Sequence, residues 1–345
     1  MKKEIRFILL VLFFCTTAFG DYLEVRRSAT VKTQPERNAP VIEKLNRGDF
    51  IELLNNGQQE NGYYKVRTKS VNQEGWIYRT LVRRHEGFIP EAAETTTFSL
   101  YYGAIPQDYY SDAVNLDGDA LKAALHNIIK EHREFSYGSV WDILKETDID
   151  TLNTSHVIGL YSGFSMDADL EYDGGKGWNR EHVWAKSRGD FGTSQGAGTD
   201  LHHLRVADVS TNSARNNRSF DECDIPYFDE SGKYQGQTQS FTGETTWTWE
   251  PRDKVKGDVA RMLLYMVVRY EGEDDEPDLE LTDSVPAKDS KSSEIGVLST
   301  LLKWHKQDPV DNYEKYRNHI IYEKYQHNRN PFIDHPEFVS KIWGN

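Results

Sequence analysis

Apolar residues beyond position 100 repeat with the period of an α-helix. Leu121, Ala124, Leu125, Ile128 and Ile129 fall at relative positions 0, 3, 4, 7 and 8, which places them on one face of a helix. An aspartate just before this series is available to cap the helix N-terminus. The pattern predicts an amphipathic helix with one buried face.

Two further segments share this period. One of them, spanning residues 255–267, is apolar around more of its circumference, which predicts a more deeply buried helix. The other follows Asp308-Pro309, and because proline is favoured at the first helical position, we expect a helix to begin there with Tyr316 and Ile320 on its apolar side. The residues beyond position 98 therefore predict a mainly helical body with few strands.

Residues 21–85 show a different pattern, in which short β-rich runs are separated by turn residues. The runs include VIEKL, GYYKVRT and EGWIYRTLV, and Asn56-Gly57 is one of the turn pairs. Residues 86–98, with one proline and three consecutive threonines, have the composition of a linker. We therefore expect an α+β protein, in which a small all-β domain over 21–85 and the linker precede a body over 99–345.

The longest apolar run of the chain, residues 7–14, lies near the N-terminus behind three basic side chains. It is shorter than the roughly 20 residues of a membrane-spanning helix, and the small residues after it end at Gly20, as in a secretory signal peptide. We expect residues 1–20 to be removed, no membrane span in the mature chain, and export to the periplasm or the medium. Only Cys223 then remains, which excludes an intrachain disulfide.

Charge is distributed unevenly along the chain. The 345 residues carry a formal net charge of -14, and 12% of them are aromatic, which excludes a wholly disordered protein. Residues 21–85 hold twelve basic and eight acidic side chains, a net charge of +4, whereas residues 86–345 carry a net charge of -20. Such a body repels a polyanion at long range, so that any chemistry on nucleic acid requires local basic groups or a metal ion.

The residue types best suited to catalysis and ligand binding are concentrated between positions 179 and 220. This segment reads NREHVWAKSRGDFG and then TDLHHLRVADVSTNSARNNRSF, and from Arg180 to Arg218 it holds six basic and four acidic residues. Its local net charge of +2 therefore reverses the sign of the body. Asn212 and Arg215 are spaced to share one face of a helix. A local basic segment of this kind suits a site that handles phosphate.

Hydrolysis of a phosphodiester requires a base for water, a hard cation and a fixed positive group that holds the phosphate. His182 suits the first role, a carboxylate and an amide from Glu181 and Asn212 suit a hard cation, and Arg215 suits the third. Adjacent residues of a regular strand point to opposite faces. Glu181 and His182 can therefore converge only at a bend or a strand end.

The motifs NREHVW, DLHHL and VSTNSARNNRSF resemble the endonuclease I family of the His-Me finger, or ββα-metal, group, and the similarity extends over roughly residues 100–340. The resemblance implies a strand pair feeding a helix around one divalent ion (Mg²⁺, or another hard ion such as Mn²⁺ or Ca²⁺). It further implies cleavage of DNA and often RNA with little sequence preference, giving 5′-phosphate ends.

Within that resemblance, His182 matches the general base, Glu181 a metal ligand, and Asn212 the metal-binding amide. The arginine that contacts phosphate in the family lies in a loop of variable length. Arg188 and the helix-borne Arg215 both stay open for this role.

The all-β segment resembles the bacterial SH3-like domains of secreted enzymes, through a Gly-Tyr-Tyr-Lys-Val strand followed by Glu-Gly-Trp-Ile. The resemblance implies a peptide or cell-wall ligand. The aromatic residues Tyr63, Tyr64, Trp76 and Tyr78 would serve such a ligand or the core, and we expect at least half of them in the core. We expect the protein to be a monomer.

Four alternatives stand beside this interpretation. One keeps the enzyme but changes its substrate to another phosphodiester, because the loop lengths around Arg188 decide whether duplex DNA can enter. A catalytically inactive secreted adaptor, anchored by the SH3-like domain, has no reason to retain Glu181, His182 and Asn212 together. A zinc site from His182, His202 and His203 lacks a supporting cysteine pair. A cysteine protease would need lone Cys223 as its nucleophile, but no recognisable nucleophile motif surrounds this residue.

The alternating TTWTWEP segment predicts a strand or an exposed aromatic ledge for Trp247 and Trp249. Stacking of these rings on nucleic-acid bases is the lesser alternative.

Overall fold

The computed structural model describes residues 21–26, 29–45, 49–68, 73–85, 98 and 100–344. The predicted signal peptide, residues 1–20, and all of the predicted linker except Phe98 lie outside these residues. The chain divides into two compact units, residues 1–96 and residues 97–345. No helix in the described part of the chain is long and apolar enough to cross a membrane.

The described residues of the first unit form an antiparallel sheet of eight short strands. They are β1 (Tyr22–Val25), β2 (Ala29–Lys32), β3 (Val41–Leu45), β4 (Phe50–Leu53), β5 (Gln59–Glu60), β6 (Tyr63–Arg67), β7 (Glu74–Tyr78) and β8 (Val82–His85). Their order is β3-β2-β7-β6-β4-β1-β8, with β5 paired to β6. Alternating residues such as Leu23, Val25 and Ile51 are buried and form the core of the unit.

The aromatic residues of this unit divide between the core and the surface. Tyr63 is buried, Tyr64 and Trp76 are half-buried, and Tyr78 is 40% exposed. A groove of about 640 Å³ is lined by Tyr63, Tyr78 and several polar side chains. The SH3-like identity of the unit and its ligand stay predictions.

Besides short 3-10 and π turns, the second unit contains eight α-helices among its described residues. They are α1 (Gly118–Ile129), α2 (Val140–Thr147), α3 (Val209–Arg215), α4 (Lys256–Arg269), α5 (Leu298–Gln307), α6 (Asn312–Ile320), α7 (Pro331–Asp334) and α8 (Glu337–Trp343). Helix α1 buries Leu121, Leu125 and Ile129 on one face, which confirms the first helix prediction. Helix α4 is buried around almost its whole circumference and lies at the centre of the core, as its pattern predicted.

The predicted start of the third helix was wrong. Asp308 directly follows α5, and its side chain accepts a hydrogen bond from the backbone N–H of Gly257 in α4 at 2.9 Å. Helix α6 begins at Asn312, because Asp311 accepts bonds from the N–H groups of the first turn and Glu314 completes a capping box. A capping residue with two satisfied donors fixes the helix start better than a proline preference does.

The second unit also holds more strands than expected. They are β9 (His156–Ile158), β10 (Ser165–Asp167), β11 (Trp178–His182), β12 (Leu204–Asp208), β13 (Ser219–Phe220), β14 (Ile225–Asp229), β15 (Gly236–Gly243), β16 (Thr248–Glu250), β17 (Glu280–Thr282) and β18 (Glu294–Gly296). Strands β13, β16, β15 and β14 form a mixed sheet, and the other six form three pairs. Most of these strands are too short to show a clear alternation in the sequence. The α+β class is confirmed, with a body less purely helical than its pattern predicted.

Asp148, at the end of α2, holds three distant elements together through buried charges. Its carboxylate accepts hydrogen bonds from Nε of Arg205 in β12 at 2.5 Å and from Nε of Arg317 in α6 at 3.4 Å. Burial alone would raise the pKa of Asp148, but the two arginines outweigh it and the pKa lies below its ordinary value. The ionised carboxylate is therefore part of what fixes β12 beside α2.

We expect Asp148→Asn to lower the free energy of unfolding at pH 7 by about 2 kcal/mol, because the amide keeps one acceptor but loses the charge. A carboxylate with a lowered pKa stabilises the fold above the unfolded pKa of about 3.9 and loses that contribution as the pH falls. Urea unfolding from pH 3 to 7 should therefore show a shallower loss of stability below pH 4 in the variant than in the parent. Parallel curves would contradict this role.

Candidate active site

A cleft of about 340 Å³ opens in the second unit where β11, the turn after it and α3 meet. The residues that line it are Tyr137, Asn179, Arg180, Glu181, His182, Ala185, Lys186, Ser187, Asn212, Ser213, Asn216 and Asn217. The structure therefore brings Glu181, His182 and Asn212 to one place, as the sequence predicted.

A strand pair and a helix position these side chains. Strand β11 pairs antiparallel with β12, so that Trp178 lies opposite Asp208 and His182 opposite Leu204. Helix α3 follows β12 directly, with Asp208 as its N-cap accepting a bond from the N–H of Thr211 at 2.9 Å. His182 is the last residue of β11. The strict alternation of the strand ends there, so that both Glu181 and His182 reach the cleft.

The carboxylate of Glu181 is buried and fixed by two donors. Its Oε1 accepts a hydrogen bond from the Tyr161 hydroxyl at 2.7 Å and another from Nη1 of Arg215 at 2.9 Å. Burial raises the pKa of Glu181, and the charge of Arg215 opposes that rise. The side chain is thus held in one orientation at the floor of the cleft.

The imidazole of His182 is fixed by the backbone on its far side. Its Nε2 lies 3.0 Å from the carbonyl oxygen of Gly198. A carbonyl only accepts, so Nε2 carries the hydrogen and the neutral ring has its free electron pair on Nδ1. Burial, and after it the nearby His203, holds the pKa of His182 well below its usual value. At neutral pH the ring is uncharged and its Nδ1 can take up a proton.

Asn212 lies in α3 on the wall of the cleft, half-buried. Its amide oxygen and the carboxylate of Glu181 are the kind of hard oxygen donors that Mg²⁺ and Ca²⁺ prefer. Two protein ligands leave the remaining coordination positions to water and phosphate. The residues present therefore fit a hard divalent ion.

The alternative zinc site is not supported. Nε2 of His202 lies 3.2 Å from Oδ1 of Asn328, and Nε2 of His203 lies 2.8 Å from the carbonyl oxygen of Ala197. Within the described residues, no group of three or more His, Cys, Asp or Glu side chains is arranged to hold a metal ion. Both histidines are buried parts of the core.

Both arginines predicted to contact phosphate are fully buried and lie outside the cleft lining. Arg215 donates to Glu181 and to the carbonyl oxygens of His182 at 2.8 Å and Val183 at 2.6 Å. Arg188 donates to main-chain carbonyls of the 286–290 segment and of residue 217. Their placement supports a role in holding the protein together and gives no support to a contact with phosphate.

Two basic residues that sequence reasoning did not select do line the cleft, Arg180 and Lys186. The guanidinium of Arg180 lies 3.5 Å from the ring centroid of Tyr137 and 4.1 Å from that of Trp141. Lys186 is exposed. Arg180 is next to Glu181 in the sequence and Lys186 is four residues after His182, so both lie within the basic segment that the sequence already singled out.

Comparison with known proteins agrees with this geometry. The family model for Endonuclease I matches residues 117–337. An extracellular ribonuclease of Bacillus subtilis (strain 168) is 55% identical over 235 residues, which cover 68% of this chain and 78% of that protein. An extracellular ribonuclease of Bacillus amyloliquefaciens is 53% identical over 251 residues, 72% of this chain and 83% of that protein. With its cleft residues inside the matched region, the chain belongs to the endonuclease I family.

Proposed function

We propose that this protein is an exported, metal-dependent endonuclease that hydrolyses phosphodiester bonds in DNA and RNA with little sequence preference and leaves 5′-phosphate ends. The observation that carries the proposal is the orientation of His182, whose Nε2–H is held by the carbonyl of Gly198 while the ring lines the same cleft as Glu181 and Asn212. Family membership and two relatives named extracellular ribonuclease support it.

In this proposal His182 takes a proton at Nδ1 from a water molecule that attacks phosphorus in line with the leaving 3′ oxygen. Glu181 and Asn212 hold the divalent ion. When bound, such an ion neutralises charge on the phosphate and on the leaving oxygen. Arg215 keeps the Glu181 carboxylate in place by a 2.9 Å hydrogen bond.

We assign phosphate binding to Arg180 and Lys186, because these basic groups line the cleft whereas Arg188 and Arg215 do not. A net charge of -20 over residues 86–345 repels nucleic acid at a distance. Contact with the substrate backbone therefore depends on such local basic groups, and binding should weaken as the salt concentration rises.

The direct test is cleavage of plasmid DNA and of a structured RNA by purified residues 21–345, with Mg²⁺ and with EDTA. We expect cutting of both substrates with the metal ion and none with the chelator. Failure of the folded protein on both substrates across Mg²⁺, Mn²⁺ and Ca²⁺ would overturn the enzymatic proposal. Undiminished cutting in EDTA would overturn the metal dependence alone.

Asn212→Ala should raise the Mg²⁺ concentration needed for half-maximal cleavage by about tenfold or more, because one of two protein ligands is lost. The measurement is the initial cleavage rate against Mg²⁺ concentration. Ser213→Ala, the next residue on α3 and also at the cleft, serves as the matched control and should leave the titration unchanged. A titration of Asn212→Ala that superimposes on the parent's would remove Asn212 from the ligand set.

A further inference from the structure

One wall of the cleft continues into an aromatic side chain that the proposed reaction does not use. Asn217 lines the cleft, and its Oδ1 accepts a hydrogen bond from Nε1 of Trp247 at 2.8 Å. Its Nδ2 donates to the carbonyl oxygen of Lys288 at 2.9 Å. The Asn217 side chain thus connects the cleft to both Trp247 and Lys288. We call the surface formed by these two residues the indole ledge.

The half-buried indole of Trp247 contacts two cations. The guanidinium carbon of Arg218 lies 3.8 Å from its ring centroid, and Nζ of Lys288 lies 4.0 Å from it. Arg218 is buried, whereas Lys288 is exposed. Trp249, two residues further along, is fully buried in the core. The two tryptophans of one short segment therefore serve different purposes.

The backbone at Trp247 has the conformation of a turn residue. Its φ is +58°, in the left-handed region that bulky side chains rarely adopt. Trp247 is the last residue of the turn 244–247 that joins β15 to β16, and left-handed residues are common in such hairpin turns. The turn places the half-buried indole beside Asn217.

Arg188 provides the rigid support for the ledge. Its guanidinium is fully buried and donates to the carbonyl oxygens of Ala287 at 2.9 Å, Ser290 at 3.1 Å and Asn217 at 3.2 Å. It therefore ties the segment that carries Lys288 to the residue that anchors the indole. A surface fixed before the substrate arrives costs less entropy on binding.

We propose that the indole ledge is a subsite for an unpaired nucleotide next to the cleaved bond, with the base stacked on Trp247 and the neighbouring phosphate on Lys288. The inference rests on the proposed nuclease function and deepens it with a preference for an unpaired nucleotide at this position, which adds affinity for single-stranded substrates without excluding a duplex. In a duplex both faces of a base are already covered by its neighbours, so that only an unpaired base offers a face to the indole.

The balance of interactions favours a nucleic-acid base over the Lys288 ammonium on the face of the indole. Stacking of a base on an aromatic side chain contributes roughly 5- to 150-fold in affinity. A cation on an exposed ring contributes only about 2- to 5-fold. An incoming base therefore displaces the Lys288 ammonium from the ring, and the flexible side chain becomes available for a phosphate. Arg218 is buried and stays against the indole.

The test uses the His182→Ala protein with Mg²⁺, in which binding is read without cleavage. Fluorescence anisotropy measures the Kd for a labelled strand of twelve thymidines and for an abasic strand of the same length. We expect Trp247→Ala to raise the Kd for the thymidine strand about tenfold and to leave the Kd for the abasic strand unchanged. Lys288→Gln removes a phosphate contact and also the cation that competes for the ring, so it should weaken the abasic strand about 2- to 5-fold and the thymidine strand by less.

Matched variants separate stacking from structural loss. Lys291→Gln removes an exposed lysine of the same segment, one that pairs with Asp190 at 2.9 Å, and should change neither Kd. Trp247→Phe keeps an aromatic face without the Nε1–H and should retain most of the preference for the thymidine strand, whereas Trp247→Leu should lose it. If Trp247→Ala does not fold, this Phe and Leu pair still decides the question.

The proposal would be overturned if Trp247→Ala left the Kd for the thymidine strand unchanged, or if it weakened both strands equally. It would also be overturned if the His182→Ala protein with Trp247 intact showed no preference for the thymidine strand over the abasic strand. Failure of the nuclease function itself is a separate result, since it appears as absence of cleavage by the native protein in the Mg²⁺ and EDTA assay.

Discussion

Replacing His182 with alanine is expected to lower kcat/KM for nucleic-acid cleavage about 10²- to 10⁴-fold, the usual contribution of a positioned general base. The ring is neutral because burial lowers its pKa, and the Gly198 carbonyl holds its Nε2–H, which directs Nδ1 to proton uptake. Alanine removes the only histidine that lines the cleft among the described residues. The measurement is the steady-state rate on plasmid DNA and on RNA.

The control for this variant is His156→Gln. His156 lies in β9 away from the cleft lining, and its Nδ1 bonds the Ser165 hydroxyl at 2.9 Å. It should cut at the parental rate, and both variants should keep the parental melting temperature within a few degrees. Cleavage by His182→Ala within threefold of the parent's would remove His182 from the role of base.

Replacing Arg215 with methionine is expected to lower the free energy of unfolding by about 3–5 kcal/mol. Methionine fills similar volume but leaves the buried Glu181 carboxylate without its cation and two main-chain carbonyls without their donor. Urea unfolding at pH 7 measures the effect. An exposed arginine of the other unit, Arg83, replaced by methionine in the same way, should change stability by less than about 0.5 kcal/mol.

A double variant separates charge from packing. Glu181→Gln in the Arg215→Met background removes the uncompensated carboxylate and should recover part of the lost stability. The phosphate-binding role that the sequence allowed for Arg215 predicts a different result, namely parental stability with a raised KM for nucleic acid. That outcome would indicate that Arg215 contacts the phosphate of the substrate.

Helix periodicity was a reliable guide where buried positions extended over three turns or more, on one face of α1 and around almost all of α4. It was less reliable at helix α6, where the capping contacts of Asp311 and Glu314 moved the start to Asn312. It also missed most strands of the second unit, because strands of two to five residues present too few positions to establish an alternation. Element length therefore set how much of the fold the pattern predicted.

The candidate site could likewise be predicted from the sequence only in part. Glu181, His182 and Asn212 could be selected from the sequence because β11, β12 and α3 follow one another within about 40 residues, and short-range pairing brings them together. The partners of Arg215 lie in this same segment, but the sequence could not show that its side chain is buried. The position of Arg188 could not be predicted for a different reason. The carbonyls that Arg188 binds at residues 287 and 290 lie about a hundred residues further along the chain.

By itself, the sequence determined the residue types available for chemistry, the spacing that brings Glu181, His182 and Asn212 together, and the all-β and helical character of the two segments. Only the tertiary structure decided which nitrogen of His182 is free, through the carbonyl of Gly198. It also decided which cations face the cleft and which are buried, and it placed Trp247 beside Asn217. The reason is physical: spacing fixes local contacts, whereas burial and hydrogen-bond partners depend on segments that meet only after folding.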